Sequence, residues 1–203
     1  MPAKRSPSAK SAAAAAKPSP APEPACSIPA ADIGEALANL AAAIAEQHPA
    51  SAARKLIIIG IANGGVHVAT RLQLLLRKHY PENARPRTGI LDISFHRDDI
   101  GLNPIPKEFT PTIIPMDVNG ATVILVDDVL QSGRTVKAAL DELFDHGRPA
   151  KVELAVLVDR GARTLPVAAD YTGILLDATP DEKVTVTLHA TDPRHDSITV
   201  AAK

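Results

Sequence analysis

Two adjacent acids, Asp127 and Asp128, stand between four aliphatic residues and a run of small polar ones in VILVDDVLQSGRT, residues 123–135. Backbone N–H groups of a small-residue loop that opens a helix form a nest for an anion. Ser132, Gly133 and Thr135 supply such a loop, and the two hydroxyls add donors that suit a phosphate. The neighbouring carboxylates suit hydroxyl groups. A ligand carrying both a phosphate and a vicinal diol, as ribose 5-phosphate does, meets both demands. Because successive strand residues point to opposite faces, both acids reach one sugar only if the strand ends at them. The competing reading is an acidic strand end that merely leads into a capped helix.

A second segment, GIANGGVHVATRL at 60–72, follows an aliphatic run and opens a helical pattern. Ala62, Asn63, Gly64 and Gly65 there could present backbone donors to a further phosphate group, although glycine also serves close packing. A third, LDISFHRDDI at 91–100, brings Arg97, Asp98 and Asp99 to the start of a long irregular stretch. A loop closing over a reactive sugar would keep water from a developing glycosyl cation. The competing reading is a solvated charged turn.

These segments need a scaffold that holds strand ends side by side. The sequence predicts a helix from Asp32, as N-cap, with Ile33, Leu37, Leu40 and Ile44 on one face, ending before Pro49. A strand over 56–61, a helix over 66–78, a strand over 89–95, a strand ending at the two acids, a helix over 135–144 and a strand over 152–158 follow. Continuous apolar strands alternating with helices indicate a mainly parallel, twisted sheet covered on both faces, hence an α/β fold. The last third reads as β: 171–176, then 184–190 and 197–201, the final two alternating as a hairpin would. In an open α/β sheet the ligand crevice lies outside the carboxyl ends of the strands, where all three segments fall.

Composition narrows the function further. The 203 residues suffice for one domain. Residues 1–30, rich in Ala, Pro, Ser and Lys with one large aliphatic, cannot bury enough surface to order themselves and are expected to form a disordered tail, with a domain over 31–203. That tail holds Lys4, Arg5, Lys10 and Lys17 against Glu23, so within a net charge of −1 the remainder is acidic. An acidic domain lacks the basic excess typical of binding to nucleic-acid phosphates. The single cysteine, Cys26, excludes a disulfide pair and suits a reducing cytoplasm. The longest apolar run, LIIIGI, is too short to cross a bilayer. Seven histidines, among them His67, His96 and His189, show no spacing that marks a zinc site.

The 123–135 segment resembles the motif by which type I phosphoribosyltransferases bind 5-phosphoribosyl 1-pyrophosphate (PRPP). Together with LDISFHRDDI and the stretch from Val118 to Gly173, it is similar to the pyrimidine operon regulator/uracil phosphoribosyltransferase family of the PyrR type, from about Ala31 to Val200. The resemblance implies the type I phosphoribosyltransferase fold with a C-terminal β hood. It also implies transfer of a phosphoribosyl group from PRPP to uracil, giving UMP and pyrophosphate with Mg²⁺ at Asp127 and Asp128. By the same resemblance Asp127, Asp128 and Arg97 are catalytic. Val129, Gln131, Ser132, Gly133, Arg134 and Thr135 hold the 5-phosphate side, and 62–65 form the pyrophosphate loop. Arg160, Gly161 and Gly173 frame the base; a homo-oligomer and leader RNA are the implied partners. The chain departs from the family pattern at Gly64, where an arginine is usual, at Gln131 for tyrosine, at Ala162 for histidine beside Arg163, and after Gly173, where it reads ILLDATP. The departures at Gly64 and after Gly173 favour one rival reading, a nucleotide sensor that binds without turnover; Ala162 and the acidic domain weigh against the other rival, an RNA-binding attenuation regulator.

Overall fold

The computed structural model describes residues 26–96 and 111–203. Strand β1 (Cys26–Ile28) leads into helix α1 (Ala30–Gln47), then come β2 (Leu56–Ile61), α2 (Gly64–Leu76) and β3 (Arg87–Leu91). Beyond the long intervening stretch lie β4 (Thr122–Leu130), α3 (Arg134–Asp145), β5 (Lys151–Asp159), β6 (Tyr171–Leu175), β7 (Glu182–Thr187) and β8 (Ser197–Ala202). Five strands form a parallel sheet in the order β3-β2-β4-β5-β6. The other three form an antiparallel sheet, β1-β8-β7, the hood. No helix among the described residues is long and apolar enough to cross a membrane.

The sheet buries both faces, and the alternation of its residues assigns each side chain to one of two cores. Ile58, Ile124, Val126 and Leu157 face α1 and α2, where Leu37, Leu40 and Leu72 are nearly or fully inaccessible; Val184, Ile198 and Val200 of the hood join the same cluster. Ile57, Ile59, Val123, Leu125 and Val156 face α3, which contributes Val136, Ala139 and Leu143. Each such aliphatic side chain contributes about 1.5–3 kcal/mol when fully buried, so strand continuity in the sequence translates directly into a two-sided core.

Two expectations need correction. Within the expected tail over 1–30, Cys26–Ile28 is a strand paired with Ile198–Val200 of β8, so the folded unit includes residues before Ala31. Asp32 does not cap α1; Pro29, in extended conformation, holds that place and Asp32 lies in the first turn, where its charge complements the helix dipole.

The order of strands creates a switch point. From β2 the chain crosses through α2 to β3 on one side, whereas from β4 it crosses through α3 to β5 on the other, the two helices lying on opposite faces. The crevice at the carboxyl ends of β2 and β4 is the place where such sheets receive ligands.

Candidate active site

Three glycines bring the start of α2 onto the ends of β2 and β4. A Cβ on Gly60 would stand 2.7 Å from Val66 Cα, and one on Gly65 would stand 2.1 Å from the Val126 carbonyl oxygen and 3.0 Å from Asp127 Cα. Both positions therefore need glycine for backbone-to-backbone approach. The Ala62–Asn63 peptide between them is cis. Gly64 differs in kind, because its missing Cβ would meet the Asp128 carboxylate, with Asp128 Oδ2 at 2.2 Å and Cγ at 2.3 Å. The half-buried Asp128 thus lies against the first residue of α2, at the positive end of its dipole.

Strand β4 does not end at the acids but runs on to Leu130, with pairs Asp127 to Val156 and Val129 to Val158 on β5 and Asp128 skipped. Alternation breaks at the acids, since Val126 and Val129 both pack on the α1 and α2 side whereas Leu130 packs on the α3 side, and the two carboxyls lie close enough to interact directly. Asp127 is only 6 % exposed. Burial pushes its carboxyl well above the ordinary range, and the charge of Asp128 adds to the rise; the Asp128 N–H, donating to Asp127 Oδ1 at 3.0 Å, partly offsets it. Asp128 Oδ1 in turn accepts from the Val129 N–H at 2.9 Å. One acid is therefore a buried group that favours its proton, and the other is open to the crevice. The pair offers both a proton carrier and a hydroxyl or cation ligand.

The following loop is held by a residue that the sequence does not point to. Arg163 donates through Nη1 to the carbonyls of Gln131 (2.9 Å), Gly161 (3.0 Å) and Leu130 (3.3 Å), through Nε to Val167 (3.1 Å) and through Nη2 to Asp159 Oδ2 (2.5 Å). Burial pushes the Asp159 carboxyl up, but the hydrogen bonds from Arg163 and the Gly161 N–H outweigh it and hold it below its ordinary value. The Ser132 carbonyl accepts from the N–H groups of Thr164 and Leu165 at 3.1 and 3.0 Å. Gly133, at φ 91°, sits against Leu165 and Val167, where a Cβ would come within 3.2 Å. The Ser132 hydroxyl accepts from the Arg134 N–H at 3.3 Å, and Arg134 and Thr135 lie exposed in the first turn of α3. Residues 131–135 therefore form a braced loop at a helix N-terminus, open on the solvent side. The Arg163 guanidinium is thus directed into this brace. The spacing Asp159 to Arg163 was the only trace of the pairing in the sequence.

The three base-pocket candidates separate. Arg160 is 3 % exposed and reaches under the hood, donating to the carbonyls of Thr179 (2.7 Å) and Glu182 (2.9 Å), while its Nε is buried without a hydrogen-bond partner. Gly161, at φ 70°, has open space where a Cβ would be and donates its N–H to Asp159. Gly173 lies in β6 against the Leu157 carbonyl (2.8 Å) and Leu40 of α1 (3.2 Å), so packing rather than a ligand accounts for it. Arg97 and the rest of 97–110 lie outside the described residues.

The sequence from Ala30 to Ala190 matches the phosphoribosyl transferase domain. Bifunctional protein PyrR of a Roseiflexus species is 41 % identical over 167 residues, covering 82 % of this chain and 89 % of that relative. The chain belongs to the PyrR family of phosphoribosyl transferases. PyrR of Streptomyces coelicolor is 45 % identical over 173 residues, 85 % of this chain and 86 % of its own length. A hypoxanthine-guanine phosphoribosyltransferase from Bacillus anthracis shares the fold with a TM-score of 0.60 at 18 % identity, over 86 % of this chain and 96 % of its own. The PyrR family assignment and the five-stranded parallel sheet agree with the type I fold expected from the sequence. In this PyrR family member the space beside Gly64 is taken by the carboxylate of Asp128.

Proposed function

We propose that this chain binds PRPP and transfers its phosphoribosyl group to uracil, releasing pyrophosphate and forming UMP. The observation that carries the reading is the placement of Asp127 and Asp128 at the switch point, between the N-termini of α2 and α3. Two helix starts give two anion sites, and the acids between them give a ribose site. Backbone N–H groups of 132–135 would hold the 5-phosphate, and those of 62–65 the pyrophosphate. Asp128 would accept hydrogen bonds from the ribose hydroxyls. Asp127 is suited to hold a proton or to face the positive charge that develops at the ribose carbon. Gly161, beside open space, would border the base.

The donors here are carboxylate oxygens, which fit Mg²⁺, a hard cation that is held by one or two carboxylates together with substrate phosphates. Bound with PRPP, it supplies charge neutralisation on the leaving pyrophosphate. The same reading expects a cytoplasmic homo-oligomer.

Pyrophosphate release from PRPP and Mg²⁺ with uracil, hypoxanthine, guanine, adenine and orotate tests the proposal. Release with uracil alone is expected. Release with another base would leave the PRPP site standing and remove the uracil assignment, and binding of PRPP without release would identify a sensor. The relatives' shared name, bifunctional protein PyrR, favours a second, regulatory activity. Its test is salt-dependent binding of a pyrimidine leader RNA that UMP strengthens; with Arg163 committed to the loop, any such RNA contact would fall on other residues.

A further inference from the structure

We propose that His96, Glu142 and Asp145 bind a divalent transition-metal ion of the Zn²⁺ class, at a site separate from the acids of β4. His96 stands after β3, and the other two lie in the last turn of α3. In the sequence His96 is 46 positions from Glu142, so no motif spacing announces the cluster. The fold brings one ligand atom from each of His96, Glu142 and Asp145 within 4.8 Å of one another.

The geometry suits a small ion. His96 Nε2 lies 3.1 Å from Glu142 Oε2 and 3.4 Å from Asp145 Oδ2. Ligands about 2.0–2.1 Å from a tetrahedral zinc stand about 3.3 Å apart, between those two values. His146 Nε2 stands 3.2 Å from the other oxygen of Glu142, outside the group of converging ligand atoms, so the fourth position is left for water. The Thr112 hydroxyl donates to Glu142 Oε1 at 3.1 Å and accepts from the Asp92 N–H at 3.0 Å, the kind of outer contact that orients a ligating carboxylate. Imidazole nitrogen combined with carboxylate oxygen selects zinc-like ions over the oxygen-only preference of Mg²⁺. A bound ion would fasten the chain just before Arg97 to the end of α3.

The test is a titration of the full-length protein with Co²⁺, with Mg²⁺ in excess to occupy oxygen-only sites. Zn²⁺ is then added in competition. Expected are the strong visible bands of tetrahedral Co²⁺ at one equivalent, their loss on Zn²⁺ addition and a rise in Tm with Zn²⁺. His96→Ala and the surface variant Asp145→Asn should each weaken Co²⁺ binding by about tenfold or more, with unchanged circular dichroism. Undiminished Co²⁺ bands in both folded variants, or no bands in the parent, would overturn the proposal and leave a histidine ion pair.

Discussion

Asp127 is the residue whose chemistry and stability pull in opposite directions. Its folded pKa is raised, so the ionised form is disfavoured in the fold relative to the unfolded chain. Stability is therefore lost as pH rises from the unfolded value of about 3.9 toward the folded one. Asp127→Asn cannot ionise and retains an acceptor for the Asp128 N–H. We expect it to stabilise the protein by about 0.5–2 kcal/mol at pH 8, with a smaller gain at pH 5, while pyrophosphate release disappears. Denaturant melts at the two pH values check this, and a variant less stable at pH 8 would refute it. The neighbouring glycines make a matched pair. Gly64→Ala pushes only the end of the Asp128 side chain, so it should leave Tm nearly unchanged and lower turnover about a hundredfold through a misplaced carboxylate. Gly65→Ala drives a methyl into the Val126 carbonyl and should cost about 1–3 kcal/mol or more. The sequence showed both as one glycine turn; that they meet different partners depends on β4, sixty residues away.

At the scale of elements, strands and helices were legible because their apolar patterns are long, whereas several of their ends were not. β3 stops at Leu91 instead of running to Phe95, since the Asp92 carboxylate accepts from the N–H and hydroxyl of Ser94 and turns the chain aside. β4 overran its expected end because its Leu130 pairs with Asp159 of β5, a long-range contact that local pattern does not carry. The same blindness hid Arg163, whose five hydrogen bonds join the loop after β4 to the loop after β5. Removing this clamp by Arg163→Ala takes a donor from the carbonyls of Gln131, Gly161 and Val167 and leaves Asp159 with the Gly161 N–H alone. A loss of about 2–3 kcal/mol follows, and with it a raised KM for PRPP at a less altered kcat, because the loop around Gly133 loses its brace. Equal KM values for parent and variant would show that the phosphate loop holds itself.

Across the whole molecule, the end of the sheet opposite the crevice carries its own polar junction. Glu153, 2 % exposed, accepts from Lys151 and from Tyr171 (3.0 Å) and lies 2.6 Å from His48 Nε2; Tyr80 donates to the His48 carbonyl at 2.6 Å. Burial pushes Glu153 up, but hydrogen bonds from Lys151, His48 and Tyr171 outweigh it, so its pKa lies below the ordinary value. Its contribution is full above the unfolded carboxyl value and is lost as pH falls through the folded one. Glu153→Gln should thus lower stability by about 1–3 kcal/mol at pH 7 and converge on the parent near pH 3, as melts across that range would show. The hood is the other long-range construction, made from Cys26–Ile28 at one end and Ser197–Ala202 at the other. For a chain still on the ribosome this sets an order of events. The parallel sheet has all its strands once Leu175 is made, but the hood must wait for Ala202, roughly one to five seconds later at about 5–20 residues per second. Until then β7 lacks its partner strand and the α1 side of the core lacks its cover, so the nascent protein passes through a nearly complete, sticky state in which chaperones have something to grip.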